Sequence, residues 1–317
     1  MKILFITATN LGDGILSTGA LDHLIRQHPG AEITVACGPV LAGIFAAAPG
    51  VRNVIPMKKE PYAGHWRKLA KATFRQRWDI VVDLRNSLVS RLLLSKKTYV
   101  WEKHDQNKHK VEQIADILGV APAPSPCIWF TPDILAEAER TIPEGEPVVA
   151  IAPAARWRGK TWPTENFVGL IGHLTASYGL IPKARVAVFA APGEENIAYT
   201  VLNQIPQERQ INMIAKLSPL QAAAAISRCS LYIGNDSGLT HLAAAVGAPT
   251  LALFGPTPAA LYRPWGRNAD YVSTPETPEQ LTGYPGYRSK SAPCLMTTLT
   301  VTAAQAAAVK LWKRTYS

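Results

Sequence analysis

The sequence predicts an α/β protein built from two Rossmann-like domains. Apolar runs of strand length alternate with segments of helical periodicity along the 317 residues, and this alternation implies parallel sheets with helices on both faces. The length suits two domains of about 150 residues each. A proline-rich segment at 121–132 separates the two alternating runs. Ligands are therefore expected at the carboxyl ends of the strands, in a cleft that the two domains face.

The elements of the first half follow from short apolar runs. Strands are predicted at 2–9, 32–38, 51–57, 79–85 and 96–102. The segment from Ile15 to His28 spaces its apolar residues as a helix does, and residues 107–120 close this half as another helix. We therefore place a first domain at residues 1–145.

The alternation then resumes in the second half. Strands are predicted at 148–155, 184–191, 211–217, 231–236 and 250–255, and helices at 163–179, 218–229 and 238–247. The helix at 218–229 carries a capping box, Ser218 with Gln221, and proline at its first position. A second domain is therefore expected at 146–300. The remaining residues, 301–317, form a last helix that we expect to pack across the domain junction.

Composition narrows the class of protein. Hydrophobic residues make up 47% of the chain and charged residues 18%, as in soluble globular proteins. The sequence contains no apolar run of the length that spans a membrane. Its cysteines are Cys37, Cys127, Cys229 and Cys294, which form no CxxC pair. A reduced, cytosolic chain without a structural zinc site is the simplest interpretation.

The net charge of +10 is concentrated in one segment. Residues 52–110 contain 15 Lys and Arg against 5 Asp and Glu, whereas the rest of the chain holds 18 of each sign. A basic patch of this kind indicates a polyanionic partner or an anionic membrane face, and the alternative is a solvated basic surface. Nucleic acid is disfavoured as a partner because the segment has no recognisable nucleic-acid motif.

The stretch 232–257 carries the clearest functional signal. It reads as strand, sharp loop, helix and strand, with Asp236 and Ser237 as natural caps and Gly238 permitting close approach of a ligand. The N–H groups and the positive dipole end of that helix suit a phosphate or diphosphate. Ser237 and His241 are four residues apart and can project to the same side of the first turn. A nucleotide-like ligand is therefore predicted in the second half.

Charged residues follow two other strands of the second half. Arg156, Arg158 and Lys160 lie in the loop after the strand at 148–155, and three cations in five residues suit a diphosphate, although a solvated loop is the alternative. Glu194 and Glu195 follow the strand at 184–191. One of them could accept hydrogen bonds from ribose hydroxyls, and capping of the next helix is equally compatible with the sequence.

Asp13 is the candidate catalytic residue of the first half. It follows the first strand in the loop Thr9-Asn10-Leu11-Gly12-Asp13-Gly14, which does not match the dinucleotide-binding pattern GxGxxG. Its structural role could be the N-cap of a helix that starts near Ile15. Its functional role could be that of a general base, because a carboxylate at the mouth of a cleft can take a proton from an attacking hydroxyl.

Several segments together resemble glycosyltransferase family 9, the lipopolysaccharide heptosyltransferases. The strongest is GNDSGLTHLAAAVGAPTLALFGPT at 234–257, and the others are Leu11-Gly12-Asp13, Lys160-Thr161-Trp162-Pro163 and Cys294-Leu295-Met296, in the family's order and spacing. The resemblance spans nearly the whole chain. It implies the two-Rossmann-domain GT-B fold, with the nucleotide-sugar in the C-terminal domain and the acceptor in the N-terminal domain.

The resemblance also implies a reaction and roles for matching residues. The reaction is an inverting transfer, usually of heptose from ADP-heptose, with Asp13 as the catalytic base. The implied nucleotide-sugar contacts are Lys160, Glu194, Asp236, Ser237, Gly238 and His241. The basic segment 52–110, rather than the resemblance, assigns acceptor contacts to Arg52, Lys58, Lys59 and Arg85. The acceptor is expected to be an anionic glycolipid held at the inner-membrane surface by a peripheral, cytoplasmic enzyme. No metal and no cofactor beyond the donor substrate is expected.

Three alternatives remain open on the sequence. The same fold could use a UDP- or GDP-sugar on a different glycan. A UDP-GlcNAc-type epimerase also has two such domains, and its product would distinguish it from a transferase. A non-catalytic nucleotide- or polyanion-binding protein could retain the site without turnover, although the combination of Asp13, Lys160 and His241 argues against this class.

Overall fold

The computed structural model describes residues 1–102, 105, 107–289 and 291–316. The chain divides into two compact units, Met1–Thr131 and the residues from Pro132 onward. Each unit contains one parallel sheet with helices packed on it. The expected class, two parallel α/β domains, is confirmed.

The first unit has a five-stranded sheet of order β3-β2-β1-β4-β5. Its strands are β1 (Lys2–Ile6), β2 (Glu32–Cys37), β3 (Val51–Pro56), β4 (Trp78–Asp83) and β5 (Ser95–Val100). Its helices are α1 (Leu11–Leu16), α2 (Thr18–Gln27), α3 (Ala42–Ala46), α4 (Gly64–Thr73), α5 (Leu88–Leu92) and α6 (Lys110–Leu118). All its strand pairs are parallel.

Alternate residues of β1 supply the two cores of the first unit. Leu4 and Ile6 are fully buried in a cluster that includes Leu69 of α4 and Val89 of α5. Phe5, whose side chain points to the opposite face, lies with its ring 6.4 Å from that of Phe45 in α3. After the exposed Lys2, strand β1 is apolar from Ile3 to Ile6 and is buried on both faces, as expected for the centre of a parallel sheet.

The second unit has a six-stranded parallel sheet of order β11-β10-β9-β6-β7-β8. Its strands are β6 (Val148–Ala152), β7 (Arg185–Ala190), β8 (Gln210–Ile214), β9 (Leu231–Asn235), β10 (Thr250–Phe254) and β11 (Ala269–Ser273). Its helices are α7 (Pro132–Thr141), α8 (Thr164–Thr175), α9 (Glu195–Leu202), α10 (Pro219–Ser227), α11 (Gly238–Ala245), α12 (Ala259–Tyr262), α13 (Pro278–Thr282) and α14 (Val301–Tyr316).

The strand order of each sheet reverses at one place. In the first unit the chain moves outward from β1 to β3 on one side and continues from β4 on the other. In the second unit the corresponding neighbours are β6 and β9. Ligands of doubly wound sheets bind outside the carboxyl ends of the strands at this switch point. A ligand site is therefore expected at the loops after β1, β4, β6 and β9.

All ten strands expected from the sequence are present, and two features differ from the expectation. The edge strand β11 was not predicted. The division between the compact units falls after Thr131, earlier than the expected boundary after residue 145, because α7 packs against α10 of the second unit. Helix α14 packs on α8, β10 and β11 of its own unit. Whether it also spans a domain junction stays a prediction.

Candidate active site

The loop between β9 and α11 occupies the switch point of the second unit. Ser237 stands at the N-cap position with extended backbone, at φ −147° and ψ 171°, but its side chain makes no capping hydrogen bond within the described part of the chain. The expected capping by Ser237 is therefore wrong. Its buried hydroxyl instead lies near that of Tyr232, whose pKa is raised by burial. The first-turn N–H groups of α11 are consequently not occupied by the Ser237 side chain.

Lys160 and Asp236 meet at the start of α11. The Lys160 ammonium donates a hydrogen bond to one carboxylate oxygen of Asp236, and His241 Nε2 lies 3.9 Å from the other oxygen. The side chains of Asp236 and His241 are only 8% and 6% exposed, and that of Lys160 is 23% exposed. A nearly buried carboxylate thus holds a half-buried cation beside a helix N-terminus, where an anion is favoured.

Lys160 reaches this cluster from the loop after β6. Arg156 and Arg158 have exposed side chains, whereas Lys160 and the residues after it turn inward. Trp162 is fully buried, donates from its indole nitrogen to the Leu299 carbonyl at 2.8 Å, and packs edge-on against Phe167. The rigid tryptophan therefore fixes the end of the loop from which Lys160 projects.

Asn235 joins this loop to β9. Its amide nitrogen donates to the Pro153 carbonyl at 2.8 Å, and its amide oxygen accepts from the Trp162 N–H at 3.0 Å. Both bonds are buried, so each also satisfies a backbone group that would otherwise be costly to leave unpaired. Asn235 was not singled out from the sequence, although it lies within the segment that resembles the family.

The Cys294-Leu295-Met296 segment packs on the same loop from the other side. The Cys294 thiol donates to the Thr161 carbonyl at 3.1 Å, and the Leu295 N–H donates to the Gly159 carbonyl at 3.2 Å. Met296 is buried in the core of the second unit. These contacts give the segment a structural role, because they fix the backbone on both sides of Lys160.

Glu194 and Glu195 follow β7, the neighbour of β6. Glu194 accepts a hydrogen bond from the Ala191 N–H at 3.0 Å, and burial raises its pKa above the ordinary glutamate value. Backbone N–H groups, its own first and then that of Gly193, lower the pKa of Glu195. The Glu194 carboxylate also lies near enough to the Tyr232 hydroxyl to raise its pKa further. The two glutamates therefore differ in environment, and the ribose role of Glu194 stays a prediction.

Asp13 lies in the first turn of α1, after β1. The helix begins at Leu11, with Asn10 at the N-cap position, so Asp13 is not the cap of a helix starting near Ile15. Its side chain is exposed, and the Asn10 amide donates to it at 3.5 Å. The N-terminal dipole of α1 favours a negative charge at this position. An exposed carboxylate at the switch point of the first sheet can act as a base.

Lys110, the first residue of α6, lies close to Asp13. Burial lowers the pKa of the Lys110 ammonium, and the charge of Asp13 opposes that shift. The ammonium donates to the Gln113 side chain at 2.9 Å and lies 5.0 Å from the centre of the Trp101 ring. Lys110 was not singled out from the sequence, because it is one of 15 Lys and Arg residues in the segment 52–110.

The four predicted acceptor cations do not all lie together. Lys58 and Lys59 follow β3 and Arg85 follows β4, so these three are at the carboxyl edge of the first sheet. Arg85 lies over the Trp66 ring at 5.6 Å. Arg52 is at the amino end of β3 and does not share that edge. Lys103, which contributes to the basic segment, lies outside the described residues.

The described residues contain neither a membrane-spanning helix nor a metal-binding cluster. None of the helices in the described ranges is long and apolar enough to cross a membrane. Across the same ranges, no group of three or more His, Cys, Asp or Glu side chains is arranged to hold a metal ion.

Comparison with known proteins gives consistent relatives. Residues 108–284, more than half of the chain, match the family model of glycosyltransferase family 9 (heptosyltransferase). Lipooligosaccharide heptosyltransferase 2 of Haemophilus influenzae is 27% identical over 297 residues, covering 81% of this chain and 84% of that protein. Lipopolysaccharide heptosyltransferase 2 of Salmonella typhimurium is 26% identical over 298 residues, covering 81% and 83%.

Solved structures show the same fold. The glycosyl transferase family 9 protein of Veillonella parvula superposes with a TM-score of 0.79 at 19% identity, covering 98% of this chain and 97% of that one. The ADP-heptose heptosyltransferase II of Escherichia coli superposes with a TM-score of 0.76 at 20% identity and covers both chains completely. The two units therefore form the GT-B fold, and with the match of the family model the chain belongs to glycosyltransferase family 9.

Proposed function

We propose that this glycosyltransferase moves heptose from ADP-heptose onto the lipopolysaccharide core or a related surface glycan. The observation that carries the proposal is the Lys160–Asp236 pair at the start of α11, at the switch point of the second sheet. Such a site suits the diphosphate of a nucleotide-sugar. The relatives from Haemophilus and Salmonella and the Escherichia coli structure are heptosyltransferases, which favours heptose as the sugar.

Leaving-group stabilisation is the role we assign to the second unit. The departing diphosphate gains negative charge as the bond to the anomeric carbon breaks. Lys160 and the N–H groups of Ser237 and Gly238 stabilise that charge, and His241 lies beside Asp236, which orients Lys160. Fixed donors of this kind need no reorganisation during the reaction, which is what makes them effective. Glu194 accepts from the ribose hydroxyls of the nucleotide.

Base catalysis is the role we assign to Asp13 of the first unit. Its carboxylate takes the proton of an acceptor hydroxyl, and that oxygen forms the new bond to the anomeric carbon. The bond from the anomeric carbon to the diphosphate oxygen breaks, and ADP leaves with both electrons. The attack comes from the face opposite the nucleotide and passes through an oxocarbenium-like state, so that the configuration inverts.

The acceptor is an anionic glycolipid in this proposal. Lys58, Lys59 and Arg85 are exposed at the same sheet edge as the loop of Asp13 and are suited to bind acceptor phosphates and carboxylates. Because such an acceptor is borne by a bilayer, the enzyme works in the cytoplasm as a peripheral protein on the inner face of the membrane. The excess of basic residues in 52–110 favours attraction to that surface.

The test begins with titration calorimetry of ADP, UDP, GDP and TDP on the purified full chain. Selective binding of ADP is expected, followed by transfer from ADP-heptose to a heptose-deficient core acceptor with inversion at the anomeric carbon. Preference for UDP or GDP would replace heptose by another sugar. Absence of binding to any nucleotide, with and without acceptor, would exclude a transferase of this kind.

A further inference from the structure

Three leucines of the first unit are exposed within seven residues. Leu88, Leu92 and Leu94 have 73%, 71% and 65% of their surface accessible. Single exposed leucines are common on protein surfaces, but a cluster of large apolar side chains marks a contact with a partner or a membrane. We name Leu88, Leu92 and Leu94 the leucine patch.

Helix α5 explains why these leucines cannot turn inward. Its inner face is already occupied, because Val89 and Leu93 are buried in the core with Leu69. Leu88 and Leu92 are four residues apart and share the outer face. A short helix that is apolar on both faces buries one of them in its own domain. The other face is left to contact something outside the domain.

Cations surround the leucine patch. Arg91 lies between the two helical leucines and donates to the Asn86 side chain at 2.8 Å. Lys96 and Lys97 follow Leu94 on β5, the exposed edge strand, and both side chains are exposed. Lys96 pairs with Asp79 at 2.6 Å, while the Lys97 ammonium lies 4.8 Å from the centre of the Tyr99 ring.

Another exposed apolar side chain lies near the same surface. Trp78 connects the end of α4 with the start of β5. Its indole donates to the Thr73 carbonyl at 3.2 Å, and its backbone N–H donates to the Leu94 carbonyl at 2.9 Å. Phe74, the residue after Thr73, is 65% exposed. Arg75 and Arg77 follow Phe74 in the chain and are exposed as well. The mixture of apolar and basic side chains thus continues beyond α5.

We propose that the leucine patch docks this protein on a bilayer of anionic lipids, with the leucines in the boundary between headgroups and acyl chains. Arg91 and Lys97 then lie at the level of the negatively charged headgroups. The inference rests on the proposed function, because it names the surface by which the enzyme reaches a membrane-borne acceptor. A second copy of the chain is disfavoured as the occupant, since a two-fold contact would bring like charges together.

Vesicle sedimentation of the purified full chain tests this inference. Sucrose-loaded vesicles of equal parts phosphatidylcholine and phosphatidylglycerol should sediment the wild-type protein, and vesicles of phosphatidylcholine alone should sediment far less. The double variant Leu88→Ser/Leu92→Ser should bind the mixed vesicles about tenfold more weakly, because transfer of each leucine contributes to partitioning. Arg91→Gln/Lys97→Gln should weaken binding mainly at low salt.

Leu135→Ser is the matched control, because Leu135 is an exposed leucine of the second unit and its loss should leave vesicle binding unchanged. Transfer to a delipidated, water-soluble acceptor should stay at the wild-type rate in L88S/L92S. Vesicle binding needs neither donor nor acceptor, so it can fail while the proposed transfer persists. Equal binding by wild type and L88S/L92S would overturn the inference. It would also be overturned if L88S/L92S dissociated a dimer in light scattering and kept vesicle binding.

Discussion

Asp13 is the residue on which turnover should depend most. Asp13→Asn keeps the shape of the side chain and removes its basicity, so the rate of transfer should fall by about 10²- to 10⁴-fold. ADP affinity should stay unchanged, because the nucleotide contacts that we assign all lie in the second unit. Single-turnover kinetics and ADP calorimetry on the same variant measure the two effects. Near-normal transfer by D13N would remove Asp13 from the role of base.

Lys160 should control nucleotide affinity. Lys160→Met should weaken ADP binding by about 10- to 100-fold, the range for loss of a hydrogen bond from a charged group. The single change also leaves the carboxylate of Asp236 unpaired in a site where it is only 8% exposed. The double variant K160M/D236N removes both charges. If Lys160 contacts the phosphates, the double variant stays weak in calorimetry; recovery of wild-type affinity would show that Lys160 only neutralises Asp236.

Glu194 should make ADP binding depend on pH. Burial raises its pKa, so it takes up a proton at a higher pH than an ordinary glutamate. Ribose hydroxyls donate to the ionised form, so ADP affinity should be full above the raised pKa and fall as pH drops through it. Calorimetry from about pH 7.5 to about pH 4.5 covers that window. Glu194→Gln should flatten the profile, whereas Glu195→Gln should preserve it. An unchanged slope in E194Q would exclude the ribose role.

Gly38, at the end of β2, should determine the position of the loop that precedes Asp13. A Cβ atom at Gly38 would lie 2.1 Å from the Thr9 carbonyl oxygen and 2.6 Å from its Cα, so the backbone of that loop would have to move. Gly38→Ala should therefore destabilise the protein by about 1–3 kcal/mol, the range for overpacking. It should also lower turnover, because α1 and Asp13 follow directly after this loop.

Gly43 in α3 provides the control for that prediction. A Cβ atom at Gly43 would meet no heavy atom within 4 Å, and the residue lies inside a helix. Gly43→Ala should therefore stabilise the protein by about 0.5–1 kcal/mol and leave turnover unchanged. Urea unfolding and steady-state kinetics on both variants give the comparison. Wild-type stability in G38A would show that the Thr9 loop has room to move.

Local patterns in the sequence predict the strands well because central parallel strands are apolar at consecutive positions. This pattern does not predict strand β11, because β11 is an edge strand that is only partly buried and has the sequence ADYVS. The start of α1 at Leu11 was also not predicted, because the local pattern of Leu11-Gly12 is typical of a loop. Elements whose burial is set by distant parts of the chain are therefore the ones that local patterns miss.

The candidate site likewise has residues that local patterns predict and contacts that they do not. Asp13, Lys160 and Asp236 are predictable, because charged residues at the ends of apolar runs come to one edge of a parallel sheet. The hydrogen bonds that hold the Lys160 loop are not predictable from the sequence, because Asn235 and Trp162 are 73 residues apart and Cys294 and Thr161 are 133 apart. No local spacing rule relates such pairs.

At the scale of the whole molecule, charge and core are distributed differently. The excess positive charge lies in 52–110, within the first unit, whereas the predicted nucleotide contacts lie in the second. Each unit has buried clusters of its own, around Leu4 and Val81 in the first and around Ile151 and Val188 in the second. The two functions that we assign, acceptor with membrane and donor, therefore rest on separately stabilised parts.

Separate cores predict separate responses to the nucleotide. Two units with their own cores should give two calorimetric transitions, and ADP should move only the transition of the second unit. At about 100 times the dissociation constant, ADP adds about 2.7 kcal/mol to its unfolding free energy, which corresponds to about 5–10 °C in Tm for a unit of this size. In K160M the shift at the same ADP concentration should be smaller. The transition of the first unit serves as the internal control in each scan. A single transition that moves as a whole would show that the units unfold together, and ADP would then stabilise the acceptor-binding half as well.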